Sequence, residues 1–241
     1  MSEPITEPTV LVPFDASDTG DVPSALVELL SPHQLVVLGY YPVPDQTATD
    51  QSRAQFGEEA TAEVDRIADR FAEDGADVES VLVFTHDRSR TIDNVASDYD
   101  VDAILTPGHV IDTLDRILVP LRGEGNLERI LGFVGVLLRE SDATATVFNV
   151  VESDEEVSHG ELLVRGACDR LAEDEGIDPD RVDWRLERER GPTTAISKVS
   201  EDYDLLIVGE TEPSLTDRIL GNVTDQVIDD SPDPLLIVRN K

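Results

Sequence analysis

The sequence is poor in cysteine and aromatic residues, and it has no long apolar run. Its 241 residues include one cysteine, Cys168, which excludes an intramolecular disulfide and fits a reducing cytoplasm. No apolar stretch approaches the ~18 residues that a membrane span needs. Residues 1–5 have neither the basic nor the apolar part of a signal peptide. We therefore expect a cytoplasmic protein without membrane insertion.

Positive charge is also scarce, and lysine is almost missing. The chain has 19 Lys and Arg against 52 Asp and Glu, a formal net charge of −33. Lys198 and Lys241 are its only lysines. A chain of this charge repels the phosphates of nucleic acids and of anionic lipids. The composition therefore argues against a nucleic-acid-binding protein and against docking on an anionic membrane.

The acidic residues are spread along the whole chain, and aspartate exceeds glutamate. Short acidic side chains hold water and cations, whereas lysine stems expose apolar methylene groups. At molar salt the screening length falls to about 3 Å, so that repulsion between surface carboxylates largely disappears. This distribution predicts adaptation to a high-salt cytoplasm. An acidic surface that binds a basic partner is the alternative.

A repeat divides the chain into two copies of one unit. Val10-Leu11-Val12-Pro13 returns as Ile117-Leu118-Val119-Pro120, and 98–105 resembles 202–208. In each copy a short β-branched run is followed by a turn and an apolar, helical segment. The repeat therefore predicts two related units of similar length.

Apolar runs and helical periodicity alternate within each unit. Strands are predicted at Val10–Phe14, Gln34–Tyr41, Val78–Phe84, Ala103–Leu105, Ile117–Pro120, Thr144–Val150, Val182–Leu186, Leu205–Val208 and Leu235–Val238. Helices are predicted at Pro23–Leu30, 51–73, Thr91–Ser97, 127–138, Gly160–Asp174, Thr194–Glu201 and Thr216–Asp229. Asp21 and Asn126 are expected to cap the first and the fourth of these helices.

Strands that are apolar throughout and are separated by helices indicate a mostly parallel sheet covered on both faces. We therefore predict an α/β fold of two tandem, doubly wound, Rossmann-like units at residues 1–114 and 115–241. Eight residues separate Gly108 from Ile117, which is too few for a further helix and strand. The first unit should therefore be truncated at its C-terminal end, with a short linker at Gly108–Arg116.

Both ends of this pattern resemble the universal stress protein family (UspA-like), as a tandem of two domains that covers nearly the whole chain. Residues 11–17 are similar to the family's opening strand and turn, where an aspartate ends the strand. Residues 209–224 and 232–239 are similar to its closing stretch. The resemblance implies an adenine-nucleotide alpha hydrolase-like fold with five mostly parallel strands per domain. It also implies, in some members, bound ATP or another adenine nucleotide.

The family's nucleotide pattern is a glycine, two residues, a second glycine, nine residues and then Gly-Ser or Gly-Thr. Its glycines admit backbone N–H groups to phosphate oxygens, and a helix N-terminus adds partial positive charge. Carried onto this sequence, the second glycine falls on Glu212, and the gap to Gly221 is eight residues instead of nine. The resemblance gives as candidate cofactor residues Gly209, Gly221, Asn222, Val223 and Thr224.

The family's first-strand aspartate is placed to contact ribose or adenine. The first unit keeps it as Asp15 but lacks the phosphate segment, whereas the second unit keeps the segment and has Arg122 instead. Each unit thus retains a different part of the family site. Asp15 can alternatively cap its own turn. Arg122, followed by Gly123, can bind an anion at a strand end or pair with Glu124, Glu210 or Glu212.

Acidic residues also stand where phosphates are expected, since Glu210, Glu212 and Asp217 lie in the same segment. Two like unit charges about 4 Å apart cost about 1 to 4 kcal/mol at effective dielectric constants of about 80 to 20. A phosphate chain would need a bridging cation, which molar salt or Mg²⁺ can supply. We therefore expect degenerate, weak binding of ATP or AMP, with Mg²⁺ if it binds.

The sequence shows no catalytic constellation. His33, His86, His109 and His159 are scattered, Cys168 lies on an amphipathic helix, and no carboxylate pair has metal-ligand spacing. We therefore predict a stress-response regulatory module that is not an enzyme and holds no metal. Two alternatives stay open: a nucleotide-binding protein with weak ATPase activity, and a scaffold or regulatory partner, for example of a transporter, without a ligand.

The final strand, Leu235–Val238, bears on assembly. The resemblance implies dimers in which such strands often pair across an axis. We expect this strand either to pair with its copy in a homodimer or to complete the first unit within the chain.

Overall fold

The computed structural model describes residues 7–18, 20–106, 108, 113–210 and 234–240. Strands and helices alternate along them. The strands are β1 (Thr9–Asp15), β2 (Gln34–Pro42), β3 (Asp77–Thr85), β4 (Ala103–Thr106), β5 (Arg116–Pro120), β6 (Thr144–Val151), β7 (Val182–Arg188), β8 (Leu205–Gly209) and β9 (Leu235–Val238). The α-helices are α1 (Ser24–Leu30), α2 (Thr49–Glu73), α3 (Arg88–Asp98), α4 (Leu127–Arg139), α5 (Val157–Glu173) and α6 (Pro192–Ser200).

Apolar runs located the strands well, and each predicted strand lies within two residues of the observed bounds. Helix starts were less accurate. Helix α3 begins at Arg88 instead of Thr91 because the Asp87 side chain accepts a hydrogen bond from the Arg90 amide at 3.0 Å and caps the earlier turn. The helix predicted at 216–229 lies outside the described residues.

Neither of the two predicted residues makes a side-chain capping bond, although Asn126 does occupy the N-cap position. Pro23 is the residue that precedes α1, and the Asp21 carboxylate instead pairs with Arg66 and Arg70 of α2. Asn126 does precede α4, but its side chain makes no capping bond. Its Nδ2 donates to the carbonyl oxygen of Val238 at 3.2 Å, so tertiary contact outcompetes the local cap.

The α/β fold with mostly parallel tandem units is confirmed, and the strands of both units join in one nine-stranded sheet. The strand order is β3-β2-β1-β4-β9-β8-β5-β6-β7. Strand β9 is parallel to β8 and antiparallel to β4. Of the two pairings predicted for this strand, completion of the first unit within the chain is the one observed. Both sides of β9 are hydrogen-bonded to neighbouring strands, so its backbone cannot pair with a strand of a second copy.

The antiparallel contact between β4 and β9 makes the strands of the two units run in opposite directions. Ala103 at the start of β4 lies opposite Val238 at the end of β9, which pairs with Gly209 at the end of β8. The carboxyl ends of β5 to β9 therefore lie on one edge of the sheet, which we call the Gly209 edge. The carboxyl ends of β1 to β4 lie on the other edge, which we call the Asp15 edge.

One face of the sheet carries a hydrophobic core that both units share. Val10 and Val12 of β1, Phe71 of α2 and Phe133 of α4 belong to the same buried cluster. The other face has two separate clusters, one under α3 with Leu11 and one under α6 with Leu118. Alternation along each strand thus sends one set of side chains into the shared core.

A largely buried ion pair also joins the units. The Arg129 guanidinium of α4 lies 2.7 Å from an Asp102 carboxylate oxygen, with side-chain exposures of 11% and 15%. The second oxygen of Asp102 accepts a hydrogen bond from the Thr9 amide at 3.0 Å. Arg129 Nε donates to the carbonyl oxygen of Arg239 at 3.0 Å, just after β9. We call Arg129, Asp102 and Arg239 the inter-unit latch.

None of the helices in the described ranges is long and apolar enough to cross a membrane.

Candidate functional site

The structure does not bring Asp15 and Gly209 together. Val10 of β1 pairs with Ala103, which lies at the Gly209 edge. The five residue-to-residue steps from Val10 to Asp15 then advance about 16 Å along the strand, away from that edge. The two candidate half-sites therefore lie on opposite edges of the sheet and cannot combine within one chain.

The Asp15 carboxylate is used by its own turn. One of its oxygens accepts hydrogen bonds from the Ser17 amide at 2.8 Å and from the Ser17 hydroxyl at 2.6 Å. The Asp18 amide donates to the Asp15 carbonyl at 3.1 Å. This geometry is the turn-capping alternative predicted for Asp15.

Arg122 follows β5 on the Gly209 edge. Strands β5 and β8 pair only through Ile117–Leu205 and Leu118–Leu206, while β5 pairs with β6 through Pro120. Strands β5 and β8 stop pairing before their carboxyl ends, at the point where the strand order reverses. Crevices of this kind are where open α/β sheets bind ligands.

A cavity of about 340 Å³ lies beside this point, over the carboxyl ends of β5 and β6, and we call it the edge cavity. Its walls are largely apolar and include Leu121, Phe148 and Ile196, with polar groups from Arg122 and His159. Among the described residues, Arg122 makes no ion pair, so the predicted pairing with Glu124 or Glu210 is not found. Glu212, the third predicted partner, lies outside those residues, and within them the Arg122 guanidinium remains available to an anionic group.

A buried amide fixes the floor of the edge cavity. Asn149 of β6 is 7% exposed, and its Nδ2 donates to the carbonyl oxygen of Leu121 at 2.6 Å. A Cβ on Gly160 would lie 2.8 Å from the Asn149 Oδ1, so only glycine lets α5 approach β6 this closely. Asn149 was not predicted as a site residue, although a polar residue within the apolar run Val147–Val151 is a visible signal.

Gly209 is required by packing. A Cβ at this position would lie 2.5 Å from Cδ1 and 3.2 Å from Cγ1 of Ile130, which belongs to α4 and is 4% exposed. Its backbone is not in the left-handed region. Close approach of α4 to the end of β8 therefore explains this glycine without a phosphate.

The residues around Gly209 hold the end of the chain. The Glu210 backbone amide donates to the carbonyl oxygen of Val238 at 2.8 Å. The Glu210 carboxylate accepts a hydrogen bond from the backbone amide of Asn240 at 2.9 Å. Asn126 has φ = 58° and binds Val238, and its Oδ1 is buried with no partner among the described residues. Gly221, Asn222, Val223 and Thr224, together with Glu212 and Asp217, lie outside the described residues.

The other reactive groups give no sign of catalysis in the part of the chain described. Burial, with smaller effects of Asp183 and Asp169, raises the pKa of the Cys168 thiol to about 11. The thiol is therefore protonated at neutral pH and is a poor nucleophile. No cluster of three or more His, Cys, Asp or Glu side chains with metal-binding geometry occurs within these ranges.

Comparison with known sequences gives one family. The sequence model of the universal stress protein family matches residues 113–239. Among curated proteins, none matches the chain.

Solved structures share the fold over nearly the whole chain. A universal stress protein from Archaeoglobus fulgidus DSM 4304 has a TM-score of 0.67 at 16% identity, covering 97% of this chain and 98% of its own. A putative universal stress protein from Pseudomonas aeruginosa UCBPP-PA14 has a TM-score of 0.56 at 14% identity, covering 97% and 93%. At these identities the likeness concerns the fold alone.

Proposed function

The chain belongs to the universal stress protein family, and we propose that it is a stress-response regulatory module that binds an adenine nucleotide weakly in its second unit. The edge cavity is the observation that carries this proposal. It lies at the carboxyl ends of β5 and β6, and its β5 side is next to the β5–β8 boundary, where the strand order reverses. Open α/β sheets bind ligands at such points.

The shape and chemistry of the edge cavity support a nucleotide. Its volume of about 340 Å³ falls in the range of small-molecule sites. Phe148 and Ile196 give it apolar walls that suit a planar base. Arg122 supplies a guanidinium whose parallel donors match phosphate oxygens. In this proposal the phosphate contacts Arg122, and the base packs on the apolar walls.

Charge favours AMP over ATP. Glu152 and Glu156 line the same cavity, and Glu210 follows β8 at the same edge. Each added phosphate brings further negative charge toward these carboxylates, and like charges repel strongly in a partly desolvated crevice. We therefore propose that at molar K⁺ AMP binds without Mg²⁺ and more tightly than ATP, and that Mg²⁺ strengthens the binding of ATP.

The test is a calorimetric titration of AMP, ATP and adenosine in about 2 M KCl, a regime in which the screening length is below about 3 Å. AMP should bind more tightly than ATP without Mg²⁺, and Arg122→Glu should abolish AMP binding. Arg53→Glu is the control, because Arg53 belongs to α2 of the first unit and does not line the cavity.

The Gly221→Asp variant tests whether the phosphate is held by the family's phosphate segment instead of by Arg122. If Gly221→Asp abolishes binding and Arg122→Glu leaves it unchanged, the phosphate is held by that segment and our placement is wrong. If none of the three ligands binds at millimolar concentration, the nucleotide proposal fails.

A scaffold or regulatory partner without a ligand is the second candidate, and one observation favours it. Gly209, the first glycine of the family pattern, is explained by its close contact with Ile130 of α4. A purely steric role for this glycine is what a ligand-free member requires. Absence of nucleotide binding together with a stable fold at molar KCl would make this candidate the better one.

We further propose that the protein is not an enzyme and works in a high-salt cytoplasm. The protonated Cys168 and the absence of a metal cluster among the described residues support the first part. The excess of 52 acidic over 19 basic residues supports the second. A homodimer would have to form through a surface other than β9, and light scattering at molar KCl would detect it.

A further inference from the structure

A second cavity lies between α4 and α5, beside the Gly209 edge. Its volume is about 380 Å³, and we call it the helix cavity. The start of α4 forms one side, and one face of α5 forms the other. It shares His159 and Leu163 with the edge cavity but does not include Arg122. The site proposed for the nucleotide therefore leaves most of this cavity unused.

The α5 wall is apolar in its middle and has room for a ligand. Its lining residues His159, Leu162, Leu163, Gly166 and Arg170 recur at three- and four-residue spacing, so they share one helix face. A Cβ on Gly166 would meet no atom within 4 Å. Leu162 is 72% exposed and is the one exposed large apolar side chain among the described residues.

The two ends of the helix cavity differ in charge. Helices α4 and α5 follow the parallel strands β5 and β6, so both begin at the Gly209 edge. Glu124 and Glu128, at the start of α4, therefore lie near the N-terminal end of α5. Arg170 lies on α5 about 16 Å of helix rise beyond His159. Gly166, one helical turn before Arg170, lines the cavity between these two residues.

These opposite charges have no partners of their own in the described part of the chain. Neither Glu124, Glu128 nor Arg170 forms an ion pair there. Arg129, which also lines the cavity, is committed to the inter-unit latch. The cavity therefore offers free carboxylates at one end, a free guanidinium toward the other, and leucine side chains between them.

We propose that the helix cavity binds a small zwitterion with an apolar body, of about the size of a dipeptide. Its ammonium group contacts Glu124 and Glu128, its carboxylate contacts Arg170, and its apolar side chain covers Leu162. At close range the Glu124 and Glu128 carboxylates repel an anionic group at their end of the cavity. A zwitterion has no net charge to be repelled, and it can pair with both ends of the cavity.

Calorimetric titration of L-alanyl-L-leucine at 2 M KCl tests the proposal on the full chain. We expect measurable binding, and a loss of about tenfold in affinity for Arg170→Gln, which removes the charge-assisted contact. Gly166→Leu should abolish binding by filling the space beside Leu162. Arg165→Gln is the matched control, because Arg165 lies on the same helix but stacks on Trp184 at 4.7 Å and does not line the cavity.

Modified ligands test each charge without changing the protein. N-acetyl-alanyl-leucine lacks the ammonium group and alanyl-leucine amide lacks the carboxylate, so both should bind at least about tenfold more weakly, as expected for loss of a charge-assisted contact. Circular dichroism confirms that each variant is folded. No binding of the dipeptide at millimolar concentration, equal losses in Arg170→Gln and Arg165→Gln, or equal affinity for the modified ligands would overturn the proposal. The outcome is independent of AMP binding, which Arg122→Glu reports.

Discussion

Gly209 shows how one residue can satisfy a sequence pattern for a different physical reason. The family pattern assigns the first glycine to phosphate binding, yet here the same position accommodates Ile130 of α4. Ile130 is 4% exposed, so its side chain has little freedom to move away. A substitution can therefore measure the steric role of Gly209 directly.

We expect Gly209→Ala to lower the free energy of unfolding by about 1 kcal/mol, since overpacking forces a buried side chain off its preferred rotamer. Urea denaturation at molar KCl measures the change. In the Ile130→Val background, which lacks the Cδ1 atom that lies 2.5 Å away but keeps the Cγ1 atom at 3.2 Å, the same substitution should cost clearly less. Gly123→Ala is the control, because a Cβ there meets no atom within 4 Å. An equal cost with and without Ile130 would exclude the steric explanation.

His33 is a buried titratable group at the contact between the two units. It lies between α1 and β2, is 6% exposed, and its Nε2 has no partner within the described ranges. Burial lowers its pKa, and the opposing attraction of Glu140, at the end of α4, is smaller. The folded protein therefore favours the neutral imidazole.

The sign of the pH effect follows from this shift. Because the folded pKa lies below the unfolded value, the unfolded chain binds the proton more readily, and stability falls as pH falls below about 6.5. We expect the free energy of unfolding to decrease between pH 7.5 and 5.5, a range that spans the ordinary histidine pKa of about 6.5. The decrease should be smaller in His33→Gln. His159→Gln, at an exposed position, should keep the wild-type decrease, and identical pH profiles for all three proteins would contradict the assignment.

At the scale of elements, β9 and the inter-unit latch join the two units into one sheet. Strand β9 pairs with both β4 and β8, and residues just after it bind Asp102 and Arg129. The Arg239 guanidinium also donates to the Ala96 carbonyl at 2.8 Å, at the end of α3. One short segment thus contacts elements of both units.

Removing Arg129 should be far more damaging than removing an exposed arginine. Arg129→Leu takes away the guanidinium beside the largely buried Asp102, and breaking a buried pair in this way costs about 3 kcal/mol or more. Arg188→Leu breaks a pair whose side chains are 58% and 78% exposed, which should cost at most about 1 kcal/mol. Urea unfolding of both variants measures the difference, and equal costs would show that the latch does not hold the units together.

At the scale of the whole molecule, self-repulsion is set by the net charge of −33. The screening length falls from about 10 Å at 0.1 M salt to about 3 Å at 1 M. We expect the free energy of unfolding to rise over this range as repulsion in the compact state is screened. KCl and NaCl at equal ionic strength should give the same rise if screening is the cause. A fall in stability with added salt would contradict salt adaptation.

The sequence predicted most elements because their signals are local. Apolar runs such as Leu235–Val238 located the strands, and the repeat of 10–13 at 117–120 indicated two related units. It failed at Asp21 and Asn126, whose side chains bind distant partners instead of capping helices. It also left open the partner of β9, because an apolar strand carries no information about which edge it joins.

The candidate site, like the fold, was only partly predictable from the sequence. Sequence similarity placed Asp15, Arg122 and Gly209 at strand ends, where the structure also has them. Only the tertiary structure decided which of them share an edge, because the antiparallel β4–β9 contact reverses one unit relative to the other. The composition by itself determined the net charge, and the residue patterns at 11–17, 209–224 and 232–239 determined the family resemblance. The two cavities, the role of Gly209 and the latch depend on contacts between residues far apart in the chain, which no local pattern encodes.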